Sequence, residues 1–547
     1  MPKFGEAQWA LGYMEPQNKN ERTKRDDDAL NVRQRIDTIY AQGGFRSIWP
    51  DDLRGRFRWW GLYTQRRQGV PGGATASVEP WELEDEFFMM RIRLAGGRLT
   101  SEQLRTIAWV SERFGRDVAD VSDRQNIQLH WIRIEDVPRI FEAIEAVGLT
   151  TCEACGDCPR AFLGCPLAGV DRHEILDGTP SLLAIHQRFV GDPTFSNLPR
   201  KYKTSVSGCT QQCAAHEIND ISFVGVLRNG QPGFDLWVGG GLGSNPHFAK
   251  RLGAFVEPCL VEEVWAGVTG CFRDYGYRRA RNHARLKFLM ADWGPVKFRE
   301  VVEKEYLGFS LPDVEAAPPS TTTQRDHVGV YEQNDGDYYV GFAPRAGRIY
   351  GHQLRQVAEF ADIYGCGRVT LTTQQKMVIP GVPEGKVDEL VAALEDHDLR
   401  VRPSAFRRST MACTGIEFCK LALVETKHRA DWLYRELEER MPEFDEPIRI
   451  NLNGCPNSCA RFQLADIGFM GCLGSASDGT KVDHFQVHVG GHLGEGHTFG
   501  RKVKRLKVPA SELANYCERV LRRFQSTRHA DEPFHSWAAR APEPWLL

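Results

Sequence analysis

Nowhere in this 547-residue chain do apolar residues run unbroken for the roughly 18 positions a membrane-spanning helix needs. That excludes a helical membrane protein. Low-complexity tracts are also missing, and with 41% hydrophobic and 26% charged residues the composition is that of a globular protein. The opening stretch, MPKFGEAQWALGYMEPQNKNERTKRDDD, has no apolar core of the kind that directs export, so the chain is expected in the cytoplasm. Excess charge of one sign is absent too: 69 basic residues face 72 acidic ones, a net −3 that argues against a nucleic-acid protein as a whole. There is no glycine fingerprint at a strand–helix junction and no phosphate-loop lysine. The GGGLG at 239–243 lacks the required spacing. What is present is cysteine, 15 of them. An odd number without an export signal is not a disulfide framework, and their close grouping points to metal or redox chemistry.

The chain repeats itself once. SGCTQQCAAHEINDISFVGV, with Cys209 and Cys213, is matched by NGCPNSCARFQLADIGFMG, with Cys455 and Cys459, 246 residues later. LWVGGGLG at Gly239 is matched by VHVGGHLG at Gly490, and TCEACGDCPRAFLG around Cys155 by STMACTGIEFCKLA around Cys413. SDRQNIQLHWI at 122–132 parallels TTQQKMVIPGV at 372–382. Common glycine turns would explain one match, not an ordered set at nearly constant offset. A period near 250 also excludes a solenoid.

Each half divides in two. FFMMRIRL predicts a strand, SEQLRTIAWVSERFG a helix capped by Ser101, IQLHWIRI a strand, and VPRIFEAIEAVG a helix entered through proline. This β-α-β-α unit, expected to form an antiparallel sheet, recurs over 337–399. The segments 151–310 and 404–525 read as α/β, with strands TSVSG, ISFVGV and FDLWVG and a helix in HFAKRLGAF. The expected layout is an N-terminal extension (1–79), a small α+β half (80–150), an α/β domain (151–310), a Pro- and Thr-rich linker (311–327), a second small half (328–403) and a second α/β domain (404–547).

Cys413 and Cys419 form C-x5-C, and Cys455 and Cys459 form C-x3-C. Four thiolates in two pairs suit a [4Fe–4S] cluster. Zinc is the competing reading, but it favours knuckles of C-x2–4-C, which the first pair exceeds. Buried inert thiols are the third reading, disfavoured by the glycines that flank both pairs. ACTGIEFC followed by NGCPNSCA resembles the paired motif of the sulfite and nitrite reductase haemoprotein family, and the resemblance spans roughly residues 50–520.

That resemblance implies a pseudo-twofold three-domain fold, α+β / α/β, with small ferredoxin-like halves and two larger α/β domains. It implies sirohaem coupled to a [4Fe–4S] cluster held by Cys413, Cys419, Cys455 and Cys459, with Cys459 bridging cluster and haem iron. The activity it implies is six-electron reduction of sulfite, or alternatively nitrite, with ferredoxin as donor. No flavin domain is evident, so electrons are expected from outside. A haemoprotein subunit of a flavoprotein complex is a further option. Arg91, Arg160, Lys201 and Lys203 match the family's anion-binding positions, although any one of them alone would read as surface charge. Many nitrite reductases of the family resemble LPRKWN where this chain has LPRKYK. The extra cation at Lys203 suits doubly charged sulfite.

Sirohaem carries many carboxylates, so basic residues are expected around it. Arg54, Arg56 and Arg58 alternate as in a strand. Arg281, Arg285 and Lys287 are spaced as on successive helical turns, where an exposed amphipathic helix is an equal reading. Arg124, Gln125, Asn126 and His130 lie in a segment similar to the family's cofactor-contacting strand. Tyr63 and Cys155 are expected near the site, with Cys155 redox-active. Cys155, Cys158, Cys209 and Cys213 read as a relic of the duplication in preference to a second cluster. GRKVKRLKV (500–508) and Arg66-Arg67 are the basic segments available to dock an acidic donor.

Overall fold

A computed structural model of the chain describes residues 18–320, 326–476 and 479–547. The opening residues read above for an export signal lie mostly outside that range, as do 321–325 of the linker.

Period-two patterning in the first small unit produces strand Glu84–Ile92, which buries Phe88, Met90 and Ile92 against Ile127 and Leu129 of strand Ile127–Ile132. Helix Ser101–Phe114 follows the first strand and helix Val137–Ala146 the second. The cap of the first helix is Thr100, not Ser101. Its hydroxyl accepts from the Gln103 N–H at 3.1 Å and Gln103 returns the bond, a reciprocal box that places the boundary one residue earlier. Two short strands missing from the sequence reading, Arg98–Thr100 and Val118–Val121, complete the unit.

Those short strands bind the halves together. The first sheet runs Leu62–Arg66, Glu84–Ile92, Ile127–Ile132, Val118–Val121 and then Arg348–Tyr350, a strand lent by the second half. Its mirror runs Gly329–Glu332, Tyr338–Phe342, Met377–Val382, Arg368–Leu371 and then Arg98–Thr100, lent by the first. One apolar core spans both sheets.

The two larger units repeat each other as well. One sheet runs Leu163–Gly164, Thr204–Ser207, Ile221–Arg228, Gln231–Val238, Lys250–Val256; the other Met411–Ala412, Ile450–Asn453, Ile467–Ser475, Lys481–Val489, Arg501–Pro509. In each the first three strands are parallel and the last two antiparallel.

Three local expectations fail. HFAKRLGAF holds a strand, Lys250–Val256, because pairing with Gln231–Val238 overrides its helical spacing. Arg54 ends a helix begun at Pro50, and Arg56 and Arg58 lie in a 3-10 turn, so the three do not line one face of a strand. Arg281 sits in a separate 3-10 turn and Arg285 caps helix Leu286–Val301, so Arg281, Arg285 and Lys287 do not share successive turns. The linker is irregular but anchored: Leu311 is buried, and Asp326 pairs with Arg408 at 2.9 Å.

Candidate active site

The two cysteine loops follow adjacent parallel strands, Met411–Ala412 and Ile450–Asn453. Glycine lets them meet. A Cβ on Gly415, whose φ is +67°, would lie 2.3 Å from Thr426 Oγ1, and one on Gly454 would lie 2.8 Å from Ala422 Cβ. Cys413 Sγ accepts the Gly454 N–H at 3.2 Å, and the Leu423 N–H is held by the Gly454 carbonyl at 2.8 Å. Burial pushes the Cys413 thiol up to about 12, and the charge of Cys459 adds to that rise and to those of Cys419 and Cys455. The four thiols therefore share one electrostatic site. Among the described residues, no three of them bring their sulfurs within 4.8 Å of one another. The four thiols therefore offer no three-sulfur group of single-ion spacing, which leaves room for a cubane between them. Cys459 is the exposed member of the set.

A group of cations from the first half stands near the cysteine loops, Lys201 among them within electrostatic reach of Cys459. Tyr202 points into the core against Trp265 and Phe272, which leaves Lys201 and Lys203 half-buried on the other side, as alternation predicts, although the regular strand begins only at Thr204. Burial first, then Arg285, Arg200 and Arg160, together lower the Lys201 pKa to about 7 against the opposing effect of Cys459. Lys203 is also pushed down by burial, and by Arg124 and Lys201. Arg160 keeps its charge: burial opposes it, but Tyr63 and Cys155 outweigh that effect. Arg91, on strand Glu84–Ile92, donates to Cys155 Sγ at 2.8 Å and to Gln128 Oε1. Burial and then Cys155 raise Tyr63 to about 12 against the opposing effects of Arg160, Arg91 and Arg58. Cys155 is buried, whereas Arg91, Arg160, Lys201, Lys203 and Tyr63 are half-buried, partly desolvated but still touched by solvent.

The other basic residues divide by what they already hold. Arg281 clamps Asp157 with both nitrogens (2.5 and 3.0 Å), and Arg285 clamps Asp220 (3.1 and 2.8 Å). The Lys203 N–H also donates to Asp220 at 2.9 Å. Lys287 donates to the carbonyls of Gly241, Leu242 and Asn245. Arg56 is consumed by Asp52 and the Thr23 carbonyl, and Arg54 lies over Trp81 beside Glu84. Arg58 donates to the Arg54 carbonyl and also acts on Tyr63 and Lys420. Gln125 spends its amide on Gly164 and on Leu371 of the other half, and Asn126 Oδ1 accepts from the Leu94 N–H. His130 is buried, bonded to Asp120 at 2.9 Å and stacked on Phe418. These three side chains fix the scaffold.

Arg124 donates to Asn219 and to the Ala161 carbonyl, yet its buried Nε has no partner. The same holds for Arg91 Nε and for Nη1 of Arg461. Arg461 was missed in the sequence. It follows Cys459 by two residues, stands where the first half has Ala215, and crosses to Asp123 at 3.1 Å. Arg124 and Arg461 act on each other electrostatically, so their unpaired guanidinium donors share one region, and such donors fit a ring-shaped polycarboxylate. Of the docking segments, Arg66 is buried and bonded to the carbonyls of Val70 and Pro71, so it is structural. Lys502, Lys504, Arg505 and Lys507 are exposed on the edge strand Arg501–Pro509. The first-half cysteines do not form one group: Cys155 joins Arg91 and Tyr63, whereas Cys209 and Cys213 meet Cys165.

A model of the nitrite and sulphite reductase 4Fe-4S domain matches residues 155–311 and 404–542, and one of the nitrite/sulfite reductase ferredoxin-like half domain matches 82–147 and 331–397. The chain belongs to the nitrite and sulfite reductase family. Members carry sirohaem and a [4Fe–4S] cluster. A relative named sulfite reductase (ferredoxin) 2, from Mycolicibacterium paratuberculosis, is 52% identical over 98% of this chain and 97% of its own. One from Haloferax mediterranei, named assimilatory ferredoxin-dependent nitrite reductase, is 36% identical over 96% and 92%. The solved structure of the Mycobacterium tuberculosis NirA protein superposes with a TM-score of 0.97 at 51% identity, covering 100% of both chains. No helix among the described residues is long and apolar enough to cross a membrane.

Proposed function

We propose that this protein reduces sulfite to sulfide with six electrons delivered by ferredoxin. Cys413, Cys419, Cys455 and Cys459 would hold the [4Fe–4S] cluster, and the donors of Arg124 and Arg461 would meet sirohaem carboxylates. The sirohaem iron, when bound, supplies the site at which the anion's sulfur accepts electrons. The surrounding chain supplies charge and protons. Complete reduction takes one sulfite, six electrons and eight protons to hydrogen sulfide and three waters, so cationic acids must stand beside the leaving oxygens. Arg91 and Arg160 bind the anion as fixed charges. Lys201 and Lys203, desolvated and so more acidic than ordinary lysines, hand protons over. None of the fifteen cysteines is in a disulfide, which suits a reducing cytoplasm.

The single observation that carries sulfite over nitrite is Lys203 standing beside Lys201 in the same group of cations. Nitrite carries one charge and needs less compensation. The test is steady-state turnover of both anions with reduced ferredoxin. kcat/KM is expected to be higher for sulfite, and Lys203→Asn is expected to move the ratio toward nitrite by about tenfold, the effect of a lost interaction worth about 1.4 kcal/mol. An unchanged ratio would refute the role given to Lys203.

A further inference from the structure

The duplication places a second thiol pair in the first half, and the structure puts it to a different use. Cys209 and Cys213 occupy the positions of Cys455 and Cys459, yet their sulfurs converge on a third, Cys165, and all three lie within 4.8 Å of one another. All are 1–3% exposed. Cys165 Sγ and Cys209 Sγ are 3.9 Å apart. Zinc–thiolate bonds of about 2.3 Å in a tetrahedron set neighbouring sulfurs about 3.8 Å apart. The triad is thus spaced for one ion and is too tight for a cubane, the reverse of the four thiols in the other half.

Two neighbours separate this cluster from an ordinary apolar thiol core. Asp171 is buried; its Oδ1 accepts the His173 N–H at 2.9 Å, and its Oδ2 stands 3.9 Å from Cys165 Sγ. His327, 6% exposed and in left-handed backbone at φ +60°, has a buried Nε2 with no partner among the described residues and interacts electrostatically with Cys209. A buried carboxylate and an unpaired ring nitrogen are costly beside neutral thiols. Beside a metal thiolate, the first is a ligand and the second a donor that orients one.

We propose that Cys165, Cys209 and Cys213 bind one zinc ion as thiolates, with the Asp171 carboxylate, 3.9 Å from Cys165 Sγ but outside the 4.8 Å group of the three sulfurs, turning in to complete the tetrahedron and His327 donating to the Cys209 sulfur. Binding expels three thiol protons. The ion has a structural place. The Cys213 carbonyl accepts from Thr373 Oγ1 at 2.9 Å, and Val378 and Tyr339 pack on the triad, so the site staples the first large sheet to the second small unit. Closed coordination by protein groups leaves no position for substrate.

The test is elemental analysis and zinc-edge X-ray absorption on holoenzyme purified without chelator. About one zinc per chain is expected beside the iron, in a shell of three sulfurs at about 2.3 Å and one oxygen. Cys213→Ser is expected to lose the zinc while keeping iron content and visible spectrum. Zinc far below one per chain, a shell without sulfur, or a Cys165–Cys209 disulfide in peptide maps of the wild type would each overturn the proposal. The wild-type measurements decide it even if the variant fails to fold.

Discussion

Desolvation turns ordinary side chains into reagents at particular positions. Lys201, lowered to about 7, is half protonated near neutrality, and its protonated form is lost as pH rises through that value. The kcat/KM for sulfite is therefore expected to fall above about pH 7, and Lys201→Arg, which stays charged, is expected to shift that limb upward. A limb in the same place in both proteins would contradict the assignment. Glu153 shows the cost of the same effect. Burial raises it to about 8, so it is neutral in the folded protein while an unfolded glutamate ionises near 4.5. Unfolding releases its proton throughout that window, so its penalty grows as pH rises from about 4.5 to 8, reaching a few kcal/mol, roughly. Glu153→Gln is expected to raise the melting temperature at pH 8 and to change it little at pH 4.5. An equal shift at both would contradict this. The pairing of the four thiols was legible in their spacing, but their expected role as cluster ligands came only with the family resemblance, since zinc and inert thiols remained competing readings of the same spacing. Arg461 was not legible, because its role depends on a crossing to Asp123, 338 residues away in sequence.

Among elements, loops carry the site and buried ion pairs fix the loops. Asp157 lies far below the usual carboxylate range: burial opposes ionisation, but Arg281, Lys24 and Arg200 overcome it. It ties the N-terminal helix Lys19–Asp26 and the turn at Arg281 to the loop that carries Cys155 and Arg160. Asp157→Ala would leave Arg281 and Arg200 without a carboxylate and Lys24 with Glu21 alone, at a cost of about 3–5 kcal/mol. A fall in thermal midpoint is expected, and an unchanged midpoint would contradict it. Periodicity revealed strands and helices wherever one face is buried, as at Glu84–Ile92 and Ser101–Phe114. It misled at Lys250–Val256, where a neighbouring strand decides the conformation, and at Arg54–Arg58, where Pro50 and the glycines at 55 and 61 set short helical turns in place of a strand.

Across the whole molecule, duplication allows a division of labour. In the proposed function one copy would supply the thiolates of the cluster, and the other the cations at Arg91, Arg160, Lys201 and Lys203. The interchange of short strands, Arg98–Thr100 for Arg348–Tyr350, locks the copies so that these cations and Cys459 keep their distance. The repeat was visible in the sequence, but the exchange was not, since three-residue strands carry too little pattern to read. In the proposed function Cys459 would couple the cluster electronically to the haem iron across this junction. Mössbauer spectroscopy of iron-57-labelled enzyme tests it most directly. The account predicts five irons per chain, with the four cluster irons and the haem iron in one exchange-coupled spectrum that Cys459→Ser uncouples; a wild-type haem iron magnetically independent of the cluster would contradict it.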